Sequence, residues 1–96
     1  MNVGFIYIIS NTHNTVIYTG VTNNVIRRIR EHKERLKSNA FASKYNIHKL
    51  LYSEYFERIE DAIYREKQIK KWKREWKFNL IKESNPTLRD LFYELL

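Results

Sequence analysis

The sequence has no cysteine, only one proline and only two glycines among its 96 residues. Without cysteine the chain can form neither a disulfide nor a thiolate metal site, and it has no cysteine nucleophile. This composition fits a reducing compartment, so we expect a cytoplasmic protein. No apolar run approaches the length of a membrane span, and the first residues do not form a signal peptide. We therefore expect no membrane association.

Linkers, internal repeats and low-complexity segments are also missing from the sequence. Hydrophobic residues make up 43% of the chain and aromatic residues 15%, which is typical of a globular protein. Because the length is that of one domain, we expect residues 1–96 to form a single domain.

Charge is distributed unevenly along the chain, whose net charge is +7. Residues 1–20 carry no charge, residues 21–49 carry eight Lys or Arg against two Glu, and residues 65–77 carry seven against two. Two basic blocks with aromatic residues between them indicate a polyanionic partner, most simply nucleic acid. The alternative is a solvated basic face that has no partner.

Two hydrophobic segments near the N-terminus predict an antiparallel hairpin. Residues 3–9 are largely apolar on both alternating faces, which indicates a strand covered on both sides. After a polar turn, a second strand is predicted over residues 15–19, and Gly20 is expected to break it. This hairpin places Tyr7 and Tyr18 on neighbouring strands.

A helix is predicted directly after the second strand, running to about residue 36 or 37. Arg28 and His32 lie one turn apart along one edge of its apolar stripe. A side chain at that edge can pack on one side and reach a ligand on the other. The alternatives are a snorkelling surface arginine and an ordinary core-edge histidine. The candidate N-caps are Thr22, Asn23 and Asn24, and the predicted buried stripe consists of Val25, Ile29 and Leu36.

A third strand is predicted over residues 50–56, followed by a helix from residue 59 or 60 to residue 72 or beyond. Glu66 lies inside the apolar stripe of this helix. A carboxylate on a buried face is costly unless it is paired or binds a metal. Glu66 is therefore a candidate metal ligand, the alternative being a structural pair with an arginine or tyrosine. The predicted stripe comprises Ala62, Ile63 and Ile69, with Trp76 and Leu80 if the helix continues.

The C-terminal residues predict a last helix that begins after Asn85. With Asn85 as the N-cap and Pro86 as the first helical residue, the start of this helix is enough to explain why both residues are present. The predicted fold is therefore α/β, with a small three-stranded, mostly antiparallel sheet flanked by helices. The apolar positions of the last helix would be Leu88, Leu91, Phe92 and Leu95.

Together these residues resemble the GIY-YIG nuclease superfamily, and most closely its small stand-alone bacterial members, often called URI-domain proteins. The superfamily is named for two strand motifs, which here read Phe5-Ile6-Tyr7 after Gly4 and Tyr18-Thr19-Gly20. In the superfamily an arginine follows on the first helix, a metal-binding glutamate on a later helix, and then an asparagine. The matching residues are Arg28, Glu66 and Asn85, and His32 matches a histidine found in some members.

The chain also departs from the superfamily pattern. Phe5 stands at the glycine of the first motif, and Thr19 replaces the middle isoleucine of the second. Some members have a lysine directly after the second motif, where this chain has Val21 and Thr22. One candidate electrophile is therefore missing from its usual position.

The resemblance implies an endonuclease dependent on Mg²⁺ or Mn²⁺ that hydrolyses phosphodiester bonds in nucleic acid, with DNA as the expected substrate. Glu66 would hold the metal, Arg28 would clamp the phosphate, and Tyr7 or Tyr18 would deprotonate or orient the attacking water. A tyrosine acting as a base needs a lowered pKa, which the nearby positive charges are expected to provide. The predicted catalytic set comprises Tyr7, Tyr18, Arg28, His32, Glu66 and Asn85.

Nucleic-acid contacts are expected from further basic residues, with no small-molecule cofactor and with a monomer or weak homodimer as the working state. The rival function is a non-catalytic nucleic-acid-binding module of the same fold. A carboxylate facing phosphate without a metal repels a polyanion, which argues against that module. The predicted contact residues are Arg27, Arg35, Lys44, Lys70 and Lys71.

Overall fold

The computed structural model describes residues 2–35 and 46–96. The predicted end of the first helix with Leu36, the predicted contact residue Lys44 and the side chain of Arg35 lie outside this description. The described elements are, in order, β1 (Gly4–Ser10), β2 (Ile17–Thr22), α1 (Val25–Arg35), β3 (Lys49–Phe56), α2 (Ile59–Lys70), α3 (Arg74–Ser84) and a 3-10 helix (Phe92–Glu94).

The three strands form one antiparallel sheet in the order β2-β1-β3, which confirms the predicted α/β fold. Alternate side chains of the central strand β1 point to opposite faces. Tyr7 and Ile9 pack with α1, whereas Ile6 and Ile8 pack with α2. The sheet is therefore covered on both faces, as the apolar character of β1 predicts.

Strand β2 continues through Gly20 to Thr22, so the predicted break at Gly20 is wrong. Gly20 lies directly opposite Tyr7 in the antiparallel register. A Cβ atom at position 20 would lie 2.4 Å from both Cζ and Oη of Tyr7. The glycine is therefore explained by the close approach of the Tyr7 ring to the backbone, and not by a turn.

Helix α1 begins at Val25, and its N-cap is Asn24, one of the three predicted caps. The Asn24 side-chain Oδ1 accepts the backbone N–H of Arg27 at 3.0 Å. Val25 and Ile29 are buried as predicted. The helix consequently aims the edge that carries Arg28 and His32 toward the α1 face of the sheet.

The predicted second helix is divided into α2 and α3 by a break over residues 71–73. The last turn of α2 tightens, because the N–H groups of Lys71 and Trp72 donate to carbonyls only three residues back. Ala62 and Ile69 are buried, but Ile63 and Trp76 are exposed, so their predicted burial is wrong. Ile63 is rotated about 100° from Ala62 and faces solvent.

The predicted C-terminal helix is also wrong, because only Phe92–Glu94 form one 3-10 turn there. Asn85 is the C-cap of α3 and not an N-cap, and its N–H donates to the Ile81 carbonyl at 2.8 Å. Leu88 then adopts a φ of 55°, in the left-handed region, which interrupts any continuing helix.

Residues 85–92, here called the edge segment, run along the outer edge of β3. The Leu91 N–H donates to the Leu50 carbonyl at 2.8 Å. Asp90 Oδ1 accepts the N–H groups of both Leu50 and Phe92 at 3.0 Å. Asp90 Oδ2 meets Lys33 Nζ at 2.6 Å, which ties the segment to α1. In the described part of the chain, no helix has the length and apolar character needed to cross a membrane.

Candidate active site

Tyr7 is the most deeply buried of the predicted site residues on the sheet, with its ring against Gly20. Its phenol oxygen accepts a hydrogen bond from Arg28 Nε at 3.3 Å. The His32 ring meets the Tyr7 ring in an edge-on arrangement, with 6.1 Å between centroids. The structure therefore brings Tyr7, Arg28 and His32 together.

Arg28 is half-buried and makes a second contact that the sequence analysis did not predict. Its Nη1 donates to Glu31 Oε1 at 3.3 Å. The spacing of three residues on one helix is a signal that could have identified this pair. The hydrogen bond to Tyr7 raises the pKa of Arg28 despite the opposing effect of partial burial, so the guanidinium stays charged.

Burial raises the pKa of Tyr7, and the hydrogen bond and charge of Arg28 offset this effect only in part. The expectation that the surroundings lower a tyrosine pKa is therefore wrong for Tyr7. At neutral pH its side chain is a neutral phenol, which accepts from Arg28 and still carries its own proton to donate.

Tyr18 lies on edge strand β2, opposite Ile9 and on the same face of the sheet as Tyr7. It is 41% exposed. Lys70 Nζ lies 5.6 Å from the centre of its ring, within the range of a cation–π contact. Tyr18 and Lys70 are also close enough to Tyr7 to influence its pKa.

Glu66 projects from α2, which packs on the opposite face of the sheet. Its side chain is 14% exposed, and Oε2 lies 3.4 Å from Lys70 Nζ. The alternative interpretation expected an arginine or tyrosine partner, and the observed partner is a lysine one helical turn later. Lys70 thus links Glu66 to Tyr18 around the outer edge of β2. We call Tyr7, Tyr18, Arg28, His32, Glu66 and Lys70 the site cluster.

Lys70 was predicted as a nucleic-acid contact, and the structure places it inside the site cluster. The spacing of four residues from Glu66 was the available signal. Arg27 and Lys71, two other predicted contacts, are exposed, and Arg27 Nη2 donates to Asn23 Oδ1 at 2.9 Å. Lys71 lies directly after α2, beside Lys70.

Asn85 is not brought into the site cluster. It is fully buried, and its Nδ2 donates to the carbonyls of Leu51 at 3.0 Å and Arg89 at 2.9 Å. Its Oδ1 accepts the Arg89 N–H at 3.2 Å. These contacts join α3, β3 and the edge segment, so they give Asn85 a structural role. A catalytic role for Asn85 remains a prediction.

The donor set around Glu66 determines which kind of metal would fit. Among residues 2–35 and 46–96, no group of three or more His, Cys, Asp or Glu side chains could hold a metal ion. A single largely buried carboxylate fits Mg²⁺, which keeps several waters and uses one or two carboxylates together with substrate phosphates. Soft or borderline metals that need several side-chain ligands fit poorly.

The chain is similar to several known proteins. A profile of the GIY-YIG catalytic domain matches residues 3–79, a span that includes the whole site cluster and ends before Asn85. A UPF0213 protein of Syntrophus aciditrophicus is 31% identical over 84 residues, covering 88% of this chain and 95% of the relative. A UPF0213 protein of Clostridium perfringens is 38% identical over 82 residues, covering 81% of each.

Among solved structures, the solution NMR structure of a UPF0213 protein from Bacillus halodurans has a similar fold. The TM-score is 0.56 at 24% sequence identity, and the match covers 88% of both chains. The described arrangement of sheet and helices therefore recurs in a protein of similar length.

Proposed function

Because the chain belongs to the GIY-YIG family, a family of nucleases, we propose that it is a metal-dependent endonuclease that hydrolyses phosphodiester bonds in nucleic acid, with DNA as the expected substrate. We further propose that residues 1–96 act as one domain, as a monomer or weak homodimer. The family match and the two basic blocks support nucleic acid as the partner.

The observation that carries the proposal is the hydrogen bond from Arg28 to the buried Tyr7, which holds a charged guanidinium beside the sheet. Glu66 lies on the opposite face of the sheet, and Lys70 connects it to Tyr18. Tyr7 engages Nε of the guanidinium, and Glu31 accepts from Nη1. The guanidinium can make a bidentate contact with a backbone phosphate, which would replace the partly exposed Glu31 carboxylate.

In the proposed reaction Arg28 stabilises negative charge on the phosphate as the transition state forms. Tyr7 positions Arg28 and donates a hydrogen bond from its neutral phenol. We assign contact with the attacking water to Tyr18, because it is the exposed tyrosine of the cluster. His32 supports the ring of Tyr7, which its edge-on contact favours.

Glu66 is the residue that would hold Mg²⁺ or Mn²⁺. When bound, the metal would neutralise charge on the phosphate and on the leaving oxygen. Lys70 neutralises the same carboxylate in the structure described here, so it would have to release Glu66 and is then available to contact the substrate backbone. This supplies an ammonium group from α2 where some family members use a lysine after the second motif.

Glu66→Gln tests the proposal most directly. The change keeps the volume but removes the charge that attracts a divalent metal, so we expect at least about 100-fold slower cleavage. Binding to nucleic acid should be retained or slightly tighter, because a charge that repels phosphate is lost. The measurement is turnover with Mg²⁺ or Mn²⁺ on single-stranded, duplex and branched DNA and on RNA.

Glu60→Gln is the matched control, since Glu60 is exposed on the first turn of the same helix. It should cleave as fast as the parent protein. A folded Glu66→Gln protein with parental turnover would refute the metal-ligand role. A parent protein that binds nucleic acid but cleaves none of the substrates with either metal would favour the non-catalytic binding module.

A second comparison separates the two tyrosines. Tyr18→Phe should lower kcat more than Tyr7→Phe, because only Tyr18 is assigned to the attacking water. Tyr7→Phe should chiefly weaken the positioning of Arg28, so that about a 10-fold loss is expected, which corresponds to about 1.4 kcal/mol and to the loss of one hydrogen bond. Equal losses for the two variants would contradict this division of roles.

A further inference from the structure

The two tryptophans of the chain line one surface groove that is separate from the site cluster. The groove has a volume of about 300 Å³ and is lined by Trp72, Trp76, Asn79, Leu80 and Glu83. It lies along α3 and the turn between α2 and α3. Trp76 is 48% exposed, whereas Trp72 and Leu80 are half-buried and pack on the core beneath α2.

Two cations flank the aromatic lining of this groove. Lys73 Nζ lies 5.7 Å from the centre of the Trp76 ring, and the Arg65 guanidinium lies 5.2 Å from the centre of the Trp72 ring. Both residues belong to the basic block of residues 65–77. A ligand that is flat and aromatic and that also carries negative charge suits such a surface, and a nucleobase on a phosphate backbone has both properties.

Polar side chains also line the groove. Asn79 and Glu83 are one helical turn apart on α3, so the amide and the carboxylate lie on the same face of the helix as the groove. An asparagine amide can pair with the edge of adenine, and a glutamate can accept from the amino group of cytosine. The volume lies at the small end of ligand sites, which suits one ring system.

The groove and the site cluster are neighbours along the chain. Lys70, which contacts Tyr18 and Glu66, precedes Trp72 by two residues, so their Cα atoms are at most about 7 Å apart. We propose that the groove binds one unpaired nucleobase of the same nucleic-acid strand whose backbone is held at the site cluster. The location of the backbone rests on the proposed function. The base must be unpaired, because the faces of a base in a duplex are covered by its neighbours.

Intrinsic fluorescence measures this binding directly, because both tryptophans of the chain line the groove. The protein is titrated without metal, to prevent cleavage, with a single-stranded DNA oligonucleotide and with an abasic strand of equal length. The oligonucleotide should quench the fluorescence and bind about 10-fold more tightly than the abasic strand, within the range measured for stacking of one base. Equal quenching and equal affinity for the two strands would overturn the proposal.

Trp76→Ala should reduce the affinity for the oligonucleotide about 10-fold, measured by anisotropy of a labelled strand, and leave the affinity for the abasic strand unchanged. Tyr93→Ala is the control, because Tyr93 is an exposed aromatic residue, at 68%, outside the groove. Trp76→Phe keeps a smaller stacking surface and should lie between Trp76→Ala and the parent, which provides a test if the alanine variant folds poorly. Parental affinity in folded Trp76→Ala would refute the base site.

The outcomes for the groove and for the reaction are separable. If the parent cleaves, Glu66→Gln does not, and Trp76→Ala binds like the parent, the base site is refuted and the proposed reaction stands. If the parent does not cleave but distinguishes the oligonucleotide from the abasic strand through Trp76, the base site stands and the reaction is refuted. Quenching by neutral lipid vesicles without any response to the oligonucleotide would assign the groove to a membrane and refute the base site.

Discussion

Strands β2 and β3 form the two outer edges of the same small sheet, and different groups lie along each edge. At β3, the edge segment supplies backbone and side-chain partners. The Leu91 N–H, the Asp90 carboxylate and the Asn85 amide all bond to the backbone of Leu50 or Leu51. Exposed strand edges invite pairing with other chains, and β3 is protected from this.

At β2, in contrast, no further strand pairs with the outer edge in the part of the chain that the structure describes. Lys70 passes this edge to connect Glu66 with Tyr18, and both Lys70 and Tyr18 are exposed. Charged groups at β3 are therefore used for internal hydrogen bonds, whereas those at β2 remain accessible to a ligand. The difference teaches that one sheet can use the polar groups of one edge for stability and leave those of the other edge exposed.

Gly20→Ala should produce the largest effect, because it disturbs the β2 side without removing any functional group. The new Cβ would overlap the phenol of Tyr7, so the ring and its hydrogen bond to Arg28 must shift. We expect at least about 100-fold slower cleavage, since small displacements of catalytic groups have effects of this size. Turnover and melting temperature are measured together.

Gly4→Ala is the matched control for this change. A Cβ at position 4 would lie 2.8 Å from Ala62 Cβ and from Ile59 Cα, on the face of α2, far from the Tyr7 phenol. It should destabilise the protein by about 1–3 kcal/mol through overpacking while the folded fraction cleaves normally. If both glycine variants lost activity only in proportion to stability, the special role of Gly20 would be refuted.

Asp90→Ala should produce the converse result at the β3 edge. It removes the acceptor of two backbone N–H groups and leaves Lys33 without its 2.6 Å partner, so the free energy of unfolding should fall by about 2–3 kcal/mol. Turnover should stay parental under conditions where the variant is folded. The check is urea denaturation of parent and variant, with Glu94→Gln as a surface-pair control expected to change stability by less than about 1 kcal/mol.

The Asp90 carboxylate also makes the free energy of unfolding depend on pH. Burial raises the pKa of Asp90. Hydrogen bonds from Lys33 and from the N–H groups of Phe92 and Leu50 together lower the pKa by more than burial raises it, so the net change is downward. A lowered folded-state pKa contributes stability above the unfolded value of about 3.9, and this stability is lost as pH falls through the folded value. Melting curves below about pH 4 should therefore converge for parent and Asp90→Ala. A gap that widened on acidification would contradict this account.

Lys70→Met should produce the smallest effect and sharpens the description of the β2 edge. Removing the ammonium leaves Glu66 without its competing cation, so binding of Mn²⁺ without nucleic acid should tighten by a few-fold, as expected for one partly exposed charge pair. Affinity for nucleic acid should weaken slightly and become less dependent on salt. Lys71→Met is the control, since the adjacent Lys71 is exposed, and it should leave Mn²⁺ affinity unchanged. The Mn²⁺ affinities of the parent and of both variants are measured by titration calorimetry.

Sequence reasoning succeeded where the deciding contacts are local. The alternation in residues 3–9 predicted β1, and a run of three polar residues predicted the cap of α1. Arg28 and His32 were placed correctly at the edge of a helix stripe because that placement depends only on helical geometry. The residues near Glu66 show where helical periodicity alone is insufficient. It correctly placed the Glu66 carboxylate on a packed face, but it also predicted burial for Ile63, which is exposed.

Two of the predictions that were wrong depended on contacts with other elements of the fold. Gly20 was interpreted as a strand breaker from local propensity. The contact that requires a glycine there is with the Tyr7 ring, which lies on another strand. Asn85 was interpreted as an N-cap from its position before Pro86. Nothing in the neighbouring sequence indicates that its amide bonds to Leu51, which lies 34 residues away. Local propensity cannot reveal such contacts, and tertiary packing overrides it.

The hydrogen bond between Tyr7 and Arg28 joins residues only 21 positions apart, both supplied by the hairpin and the helix that follows it. Contacts of short sequence separation form early in folding, because the loop they close is short. During synthesis this pair, which the proposed function assigns to phosphate binding, is therefore expected to form before α2 has been made. In the proposed reaction cleavage also requires Glu66, which reaches the sheet only when α2 docks on its opposite face. Under the proposed function, the order of residues along the chain delays cleavage until the sheet is covered on both sides. A partly synthesised chain is then expected to bind nucleic acid before it is able to cut it.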